Sequence, residues 1–331
     1  MSSLASHFFR VVAAFAVVLL HVAALGLQAW NPYWALCNAF DSAVRACVPL
    51  FFMLTGALLL RRDESLRDFF VKRFSRIGPP LLFWSYFFIA WRIYIEGAPL
   101  SWSPIRLLGG PVFYHLWYLY ALIGLYLALP LLRVIYRHAS AQLQGYLLVC
   151  WFAGACLLPV ILPVIGKTTV LEISFIPQYA GYLFLGAWLT ERRLRLSHAA
   201  LLYLGSCLAT FALMHWWSHR QGELDQLFYQ YLAPNVALAG VGAFALLLHA
   251  GERLPQRWTG VISTLSDCSF GIYFIHLPVL HALREGWLGF ALDWDAFHPA
   301  LVIPATTLAA FAVSFALIWL LRLIPGMKKV V

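Results

Sequence analysis

The chain has 331 residues, of which 62% are hydrophobic and only 11% are charged. Soluble domains average about 45–50% apolar and about 25% charged residues, so this composition could not cover the surface of a soluble fold. It excludes a soluble enzyme, a disordered chain and a nucleic-acid-binding domain. The net charge of +9 does not restore the last of these, because the basic residues sit in short loops between apolar stretches.

Ten apolar segments are predicted as membrane spans: 8–28, 34–60, 78–96, 112–133, 143–166, 172–190, 199–216, 229–249, 262–285 and 299–323. The expected fold is an all-α, polytopic integral membrane bundle of about ten transmembrane helices, forming a single membrane domain over 1–331. The first segment has almost no basic residues before it and runs past the length of a signal-peptide core, so it is read as a retained helix. Between the second and third segments, Leu66, Phe69, Phe70, Phe74 and Ile77 recur at helical spacing, and Ser65-x-x-Asp68 suits a helix start. Lys72, Arg73 and Arg76 flank that stripe, and Pro79-Pro80 is expected to end it. The pattern is that of an amphipathic helix on the cytoplasmic membrane face. It would serve as an anchor to anionic lipid or as a basic cradle for a phosphorylated ligand. None of the six cysteines forms a CxxC pair, so neither a metal site nor a disulfide framework is signalled.

The loops set the direction. With the N-terminus inside, the inner loops carry sixteen Lys and Arg residues, while the outer loops carry only Arg106, Lys167, Arg220 and Arg284. Both termini are therefore expected on the cytoplasmic side.

Ionisable groups inside spans need a reason, because each costs about 2.5–3.5 kcal/mol on the insertion scale. Arg10 and His21 are 11 residues apart in the first span. That is about 16.5 Å of rise, with the two side chains within about 20° of one another around the helix. A snorkelling arginine and a packing histidine would be the plain readings of each alone. Asp41 in the second span reaches a similar depth to His21; it either pairs with Arg45 at i+4 or orients the imidazole. Arg92 and Glu96 repeat the i,i+4 pattern and read as structural. His115 opens the fourth span among aromatics. Ser269, Tyr273 and His276 share one face of the ninth span, either as interhelical hydrogen-bonding groups or as part of a site.

Five segments, in order, resemble the signatures of the integral-membrane acyltransferase family 3. They are Arg10-x10-His21; Val48-Pro-Leu-Phe-Phe-Met-Leu-Thr-Gly56; Lys72-Arg-Phe-Ser-Arg-Ile-Gly-Pro79; Pro111-Val-Phe-Tyr-His-Leu-Trp117; and Ser266-Asp-Cys-Ser-Phe-Gly-Ile-Tyr-Phe-Ile-His276. The pattern is most similar to the surface-polysaccharide O-acetyltransferases, the enterobacterial common antigen type among them. Thr55 stands where a serine is usual, and His7 where many members carry an acid three residues before the motif arginine. No appended SGNH-type domain is expected.

The resemblance implies an O-acyltransferase of the bacterial cytoplasmic (inner) membrane. Its donor would be cytoplasmic acyl-CoA, acetyl-CoA above all, and its acceptor a hydroxyl of an extracytoplasmic polysaccharide or lipid-linked glycan. Arg10, Lys72, Arg73 and Arg76 would bind the CoA phosphates. His21 would act as general base or as an acyl-accepting nucleophile, with Arg10, Asp41, His115, Tyr273 and His276 as the other candidate catalytic residues. No metal and no nucleic acid is expected. The rival reading is a secondary transporter or an exporter of a lipid-linked sugar, disfavoured by the absence of an internal repeat.

Overall fold

The computed structural model describes residues 1–99, 102–167 and 177–331. The described residues form an all-helical bundle around α1 (Ser3–Leu25), whose first turn is closed by Ser2 accepting from the Ala5 amide at 3.1 Å. α1 is apolar on nearly all sides and packs against α2 (Trp34–Val44), α3 (Cys47–Leu59), α10 (Pro234–Glu252), α11 (Thr259–Arg284) and α12 (Pro299–Leu321). A helix hydrophobic all round belongs inside a bundle.

The predicted second span is two helices rather than one. α2 stops and α3 begins at Arg45–Ala46, three residues before Pro49. A proline at 49 has no N–H to give the Arg45 carbonyl, and its ring crowds that carbonyl, so the helix breaks where Arg45 sits.

A second departure runs the other way. Pro79 and Pro80 do not end the amphipathic segment; both lie inside α4 (Leu66–Tyr94), 29 residues long. The proline pair leaves the Ser75 and Arg76 carbonyls without their helical donors, a defect that neighbouring groups tolerate in membrane helices. The amphipathic half is clamped to the bundle at Phe69, which is buried beneath the Arg73 and Arg133 guanidinium groups, each 5.1 Å from its ring. Glu64 accepts from Lys72 at 2.9 Å and from Arg73 at 3.1 Å.

α5 (Trp117–His138) follows, then α6 (Ala141–Trp151), a π-turn (Phe152–Leu157) and α7 (Leu158–Val164) in one continuous rod. α8 (Ala180–Glu191) and α9 (Leu196–Gln221) complete the set. Residues 172–176 of the predicted sixth span lie outside the described residues. The described helix there has 12 residues, about 18 Å, too short to span the hydrocarbon alone.

Among the described residues, seven helical stretches are long and apolar enough to cross a membrane: Ser3–Leu25, Trp34–Leu59, Tyr114–His138, Ala141–Val164, Leu196–Gln221, Leu227–Glu252 and Pro299–Leu321. The other three expected spans correspond to α4, α8 and α11; of these, α4 and α11 are long but carry more polar residues.

α3 and α8 pack with almost no side chain between them. A Cβ at Gly56 would lie 2.0 Å from the Leu183 carbonyl oxygen, and one at Gly186 would lie 1.9 Å from that of Met53. Such small-residue contacts are how helices associate in lipid, where apolar burial alone gives no drive.

Candidate active site

A cavity of about 1210 Å³ runs beside α1, lined from Ser6 in its first turns to Gln28 just past its end. The stretch of α1 from Ser6 to Leu25 rises about 28 Å. One end is basic: Arg10, Arg76, Arg322, Lys328 and Lys329 line it. Arg322 is held by Asp267, through the backbone carbonyl at 2.7 Å and the carboxylate at 3.7 Å. Arg10, Arg76, Lys328 and Lys329 have no ion pair among the described residues. The C-terminal segment is tied to this end by Trp84, whose Nε1 donates to the Val330 carbonyl at 2.8 Å. Gln28, Leu224 and Gln226 line the far end.

Midway, three imidazoles from three elements converge. His21 of α1 lies 5.0 Å from His276 of α11, ring centre to ring centre, and His276 lies 5.7 Å from His115. His21 and His115 line the cavity; His276 is fully buried behind them. Nδ1 of His276 faces two acceptors, the carbonyls of Tyr273 at 2.8 Å and Ile272 at 3.2 Å. Carbonyls only accept, so Nδ1 carries the proton and Nε2 is left as a bare lone pair. That Nε2, and both ring nitrogens of His115, are buried with no hydrogen-bond partner among the described residues. Tyr273 donates its hydroxyl hydrogen bond to the His115 carbonyl, fixing α11 to the turn before α5. Among the described residues no group of three or more His, Cys, Asp or Glu is placed to hold a metal ion.

The candidate residues fall in distinct places. Arg10, His21, Asp41, Arg73, Arg76, His115 and Tyr273 line the cavity, whereas Lys72 and His276 do not. Asp41 is hydrogen-bonded to Arg45, at 3.1 and 3.4 Å, rather than to His21. Arg73 reaches the cavity while paired to Glu64, and Lys72 shares that carboxylate from the exposed side. His7, one turn before the first sequence signature, is hydrogen-bonded through Nδ1 to Ser266 Oγ, at the start of the last one, at 2.9 Å. Sequence reasoning did not place Arg45, Tyr114 or Tyr231 at the cavity, nor bring Lys328 and Lys329 to its mouth. For the lysines the signal was present, since positive loops gather on one face; for Arg45 and Tyr231 no local pattern existed.

Residues 4–319 match the family of integral-membrane acyltransferases described as an acyltransferase domain. The chain belongs to the acyltransferase-3 family. It is also 25% identical over 322 residues to Nodulation protein 10 of Rhizobium leguminosarum bv. viciae, a match covering 82% of this chain and 80% of that protein. No solved structure matches the chain. This acyltransferase is thus a bundle of membrane-spanning helices with a large cavity beside α1. That cavity presents imidazole, guanidinium and phenol groups to a common lumen.

Proposed function

We propose that this acyltransferase takes an acyl group, acetyl in the first instance, from cytoplasmic acyl-CoA. It passes that group across the inner membrane to a hydroxyl of an extracytoplasmic cell-surface glycan. The observation that carries the reading is the cavity itself, basic at one end, imidazole-lined midway and reaching Gln28 and Gln226 at the other. CoA exists in the cytosol, so the basic end, with both chain termini, belongs on that side. Arg10, Arg76, Lys328 and Lys329 have no internal counter-ion to displace and meet the CoA phosphates, with Arg73 beside them. Lys72 acts through Glu64, holding the basic segment in place.

The uncharged pantetheine arm lies along the stripe from Arg10 to His21 and brings the thioester to the imidazoles. The acceptor hydroxyl enters from the far end. His21 takes its proton as general base while the hydroxyl oxygen attacks the thioester carbon. His276, its Nδ1 proton committed to backbone carbonyls, keeps an unprotonated Nε2 in the wall behind His21. His115 and Tyr273 shape the same wall.

The test is transfer of label from radiolabelled acetyl-CoA, added on the basic-end side of sealed proteoliposomes, to glycan enclosed on the other. Label on the glycan that is lost with His21→Ala supports the reading. Glycan that crosses the bilayer unlabelled supports the transporter instead.

A further inference from the structure

Arg45 lines the cavity at the break between α2 and α3, and its surroundings are unusually complete. Its Nε donates to the Tyr229 carbonyl at 2.7 Å, and its Nη1 donates to Asp41 Oδ1 at 3.1 Å. The rings of Tyr229 and Tyr231 lie 4.5 and 5.0 Å from its central carbon. Those rings are themselves held: Tyr229 donates its hydroxyl hydrogen bond to Asn38 Oδ1 at 2.5 Å, and Tyr182 donates to the Tyr231 carbonyl. The remaining nitrogen, Nη2, has no hydrogen-bond partner among the described residues. It is not a sealed orphan like Nη2 of Arg133, because Arg45 lines the cavity. A guanidinium locked on three sides and open on the fourth is a fixed donor aimed at whatever occupies the lumen.

Stability does not account for it. Burying an Arg–Asp pair costs desolvation that their attraction often fails to return, and apolar residues of similar volume commonly do as well. Nor does the pair serve the donor's phosphates, since it sits beyond the basic mouth, where the helix breaks at mid-bundle.

We infer that Arg45 is a catalytic residue whose Nη2 donates to the oxygen that becomes negative as the acyl group changes hands, with Asp41 and Tyr229 as its positioning residues. This rests on the acyl-transfer reading above. As the acceptor hydroxyl oxygen forms its bond to the thioester carbon, its proton goes to His21, and the carbonyl π pair moves onto oxygen. That oxyanion accepts from Arg45 Nη2. When the oxygen re-forms its double bond, the C–S bond breaks and its electron pair leaves with sulfur. The thiolate recovers the proton from the His21 imidazolium, giving ester and free CoA. A preorganised donor in a water-poor site is worth far more to this step than the same donor in bulk water.

The experiment compares purified unsubstituted protein with Asp41→Asn/Arg45→Gln and with Arg45→Lys in proteoliposomes, measuring kcat and the KM for labelled acetyl-CoA. The double variant removes both charges together and so leaves no buried charge unpaired. Its expected result, with the rate normalised to the number of folded sites titrated by acetyl-CoA binding, is a kcat about 10²–10³-fold lower with KM within about threefold; a merely structural loss would lower the titrated sites and leave the rate per site unchanged. Arg45→Lys keeps the charge beside Asp41 but has no fork. A fall of at least about tenfold in kcat is expected there too, and it carries the test if the double variant does not accumulate. Transfer by either folded variant within about threefold of the unsubstituted rate overturns the role of Arg45 alone. Absence of transfer from acetyl-CoA by the unsubstituted protein overturns the donor assignment, and this role with it.

Discussion

Replacing Gly56 by alanine adds one methyl group where there is no room for it. The new Cβ would sit 2.0 Å from the Leu183 carbonyl oxygen and 2.4 Å from its carbonyl and α carbons. All three are backbone atoms, so no side chain can rotate away. Restoring an ordinary contact of about 3.4 Å requires α3 and α8 to part by about 1.4 Å, and overpacking of this kind costs about 1–3 kcal/mol. Thr55, Leu54 and Leu58 on α3 line the cavity, so the movement also displaces its wall. Thermal unfolding of detergent-solubilised protein should fall by several degrees, with activity lost even at a temperature where the variant stays folded. Gly186→Ala forces the same separation from the other helix, its Cβ lying 1.9 Å from the Met53 carbonyl oxygen. The double variant should therefore cost less than the two single costs combined, because one separation relieves both clashes. Gly205→Ala is the control. Nothing lies within 4 Å of its added Cβ, and alanine in a helix interior is favoured over glycine by about 0.5–1 kcal/mol. Equal stability of Gly56→Ala and the unsubstituted protein, or equal damage from Gly205→Ala, would refute the close-packing argument.

The remaining expectations concern the cavity and its mouth. His21→Ala should lower acyl transfer by about 10²–10⁴-fold at unchanged protein level and unchanged CoA binding, read by label transfer and equilibrium dialysis. Arg10→Ala and Arg76→Ala should each raise the KM for acetyl-CoA while leaving acceptor KM alone, and the effect should shrink at high salt as the phosphate attraction is screened. Lys72, hydrogen-bonded to Glu64, holds that carboxyl below the usual carboxylate range, with Arg73 adding to the effect. A carboxyl lowered on folding contributes stability above its unfolded value of about 4.3 and loses it as pH falls through the lower folded value. Melting temperature should accordingly drop more steeply for the unsubstituted protein than for Glu64→Gln between pH 6 and pH 3, and parallel curves would contradict the pairing.

Much of the architecture was readable because hydropathy and helical period are local properties. The apolar runs became helices, and Arg10 and His21, three turns apart, line one cavity as their common face implied. What could not be read depended on contacts between distant segments. The break at Arg45 needs Pro49 to be seen as crowding a carbonyl four residues back, within a run that otherwise scores as one span. The clamp on the amphipathic half of α4, Arg133 over Phe69, comes from a helix 64 residues further along. Asp41 had two candidate partners, and the nearer in sequence holds it; the far partner of Arg45, the Tyr229 carbonyl, is 184 residues away. The grouping of His21, His115 and His276 is likewise tertiary, since each histidine alone is indistinguishable from one that merely packs.

The cluster of guanidinium and ammonium groups at the basic end of the cavity has a consequence besides the proposed binding of an anionic donor. A polar lumen that approaches both faces of an energised membrane is a potential short circuit for hydronium and sodium. Fixed cations without internal counter-ions raise the electrostatic barrier to either, as they do in pores that conduct without passing protons. On the proposed function, the same residues would insulate the bilayer while no substrate fills the passage, and neutralising several of them together should register as ion conductance as well as weaker donor binding.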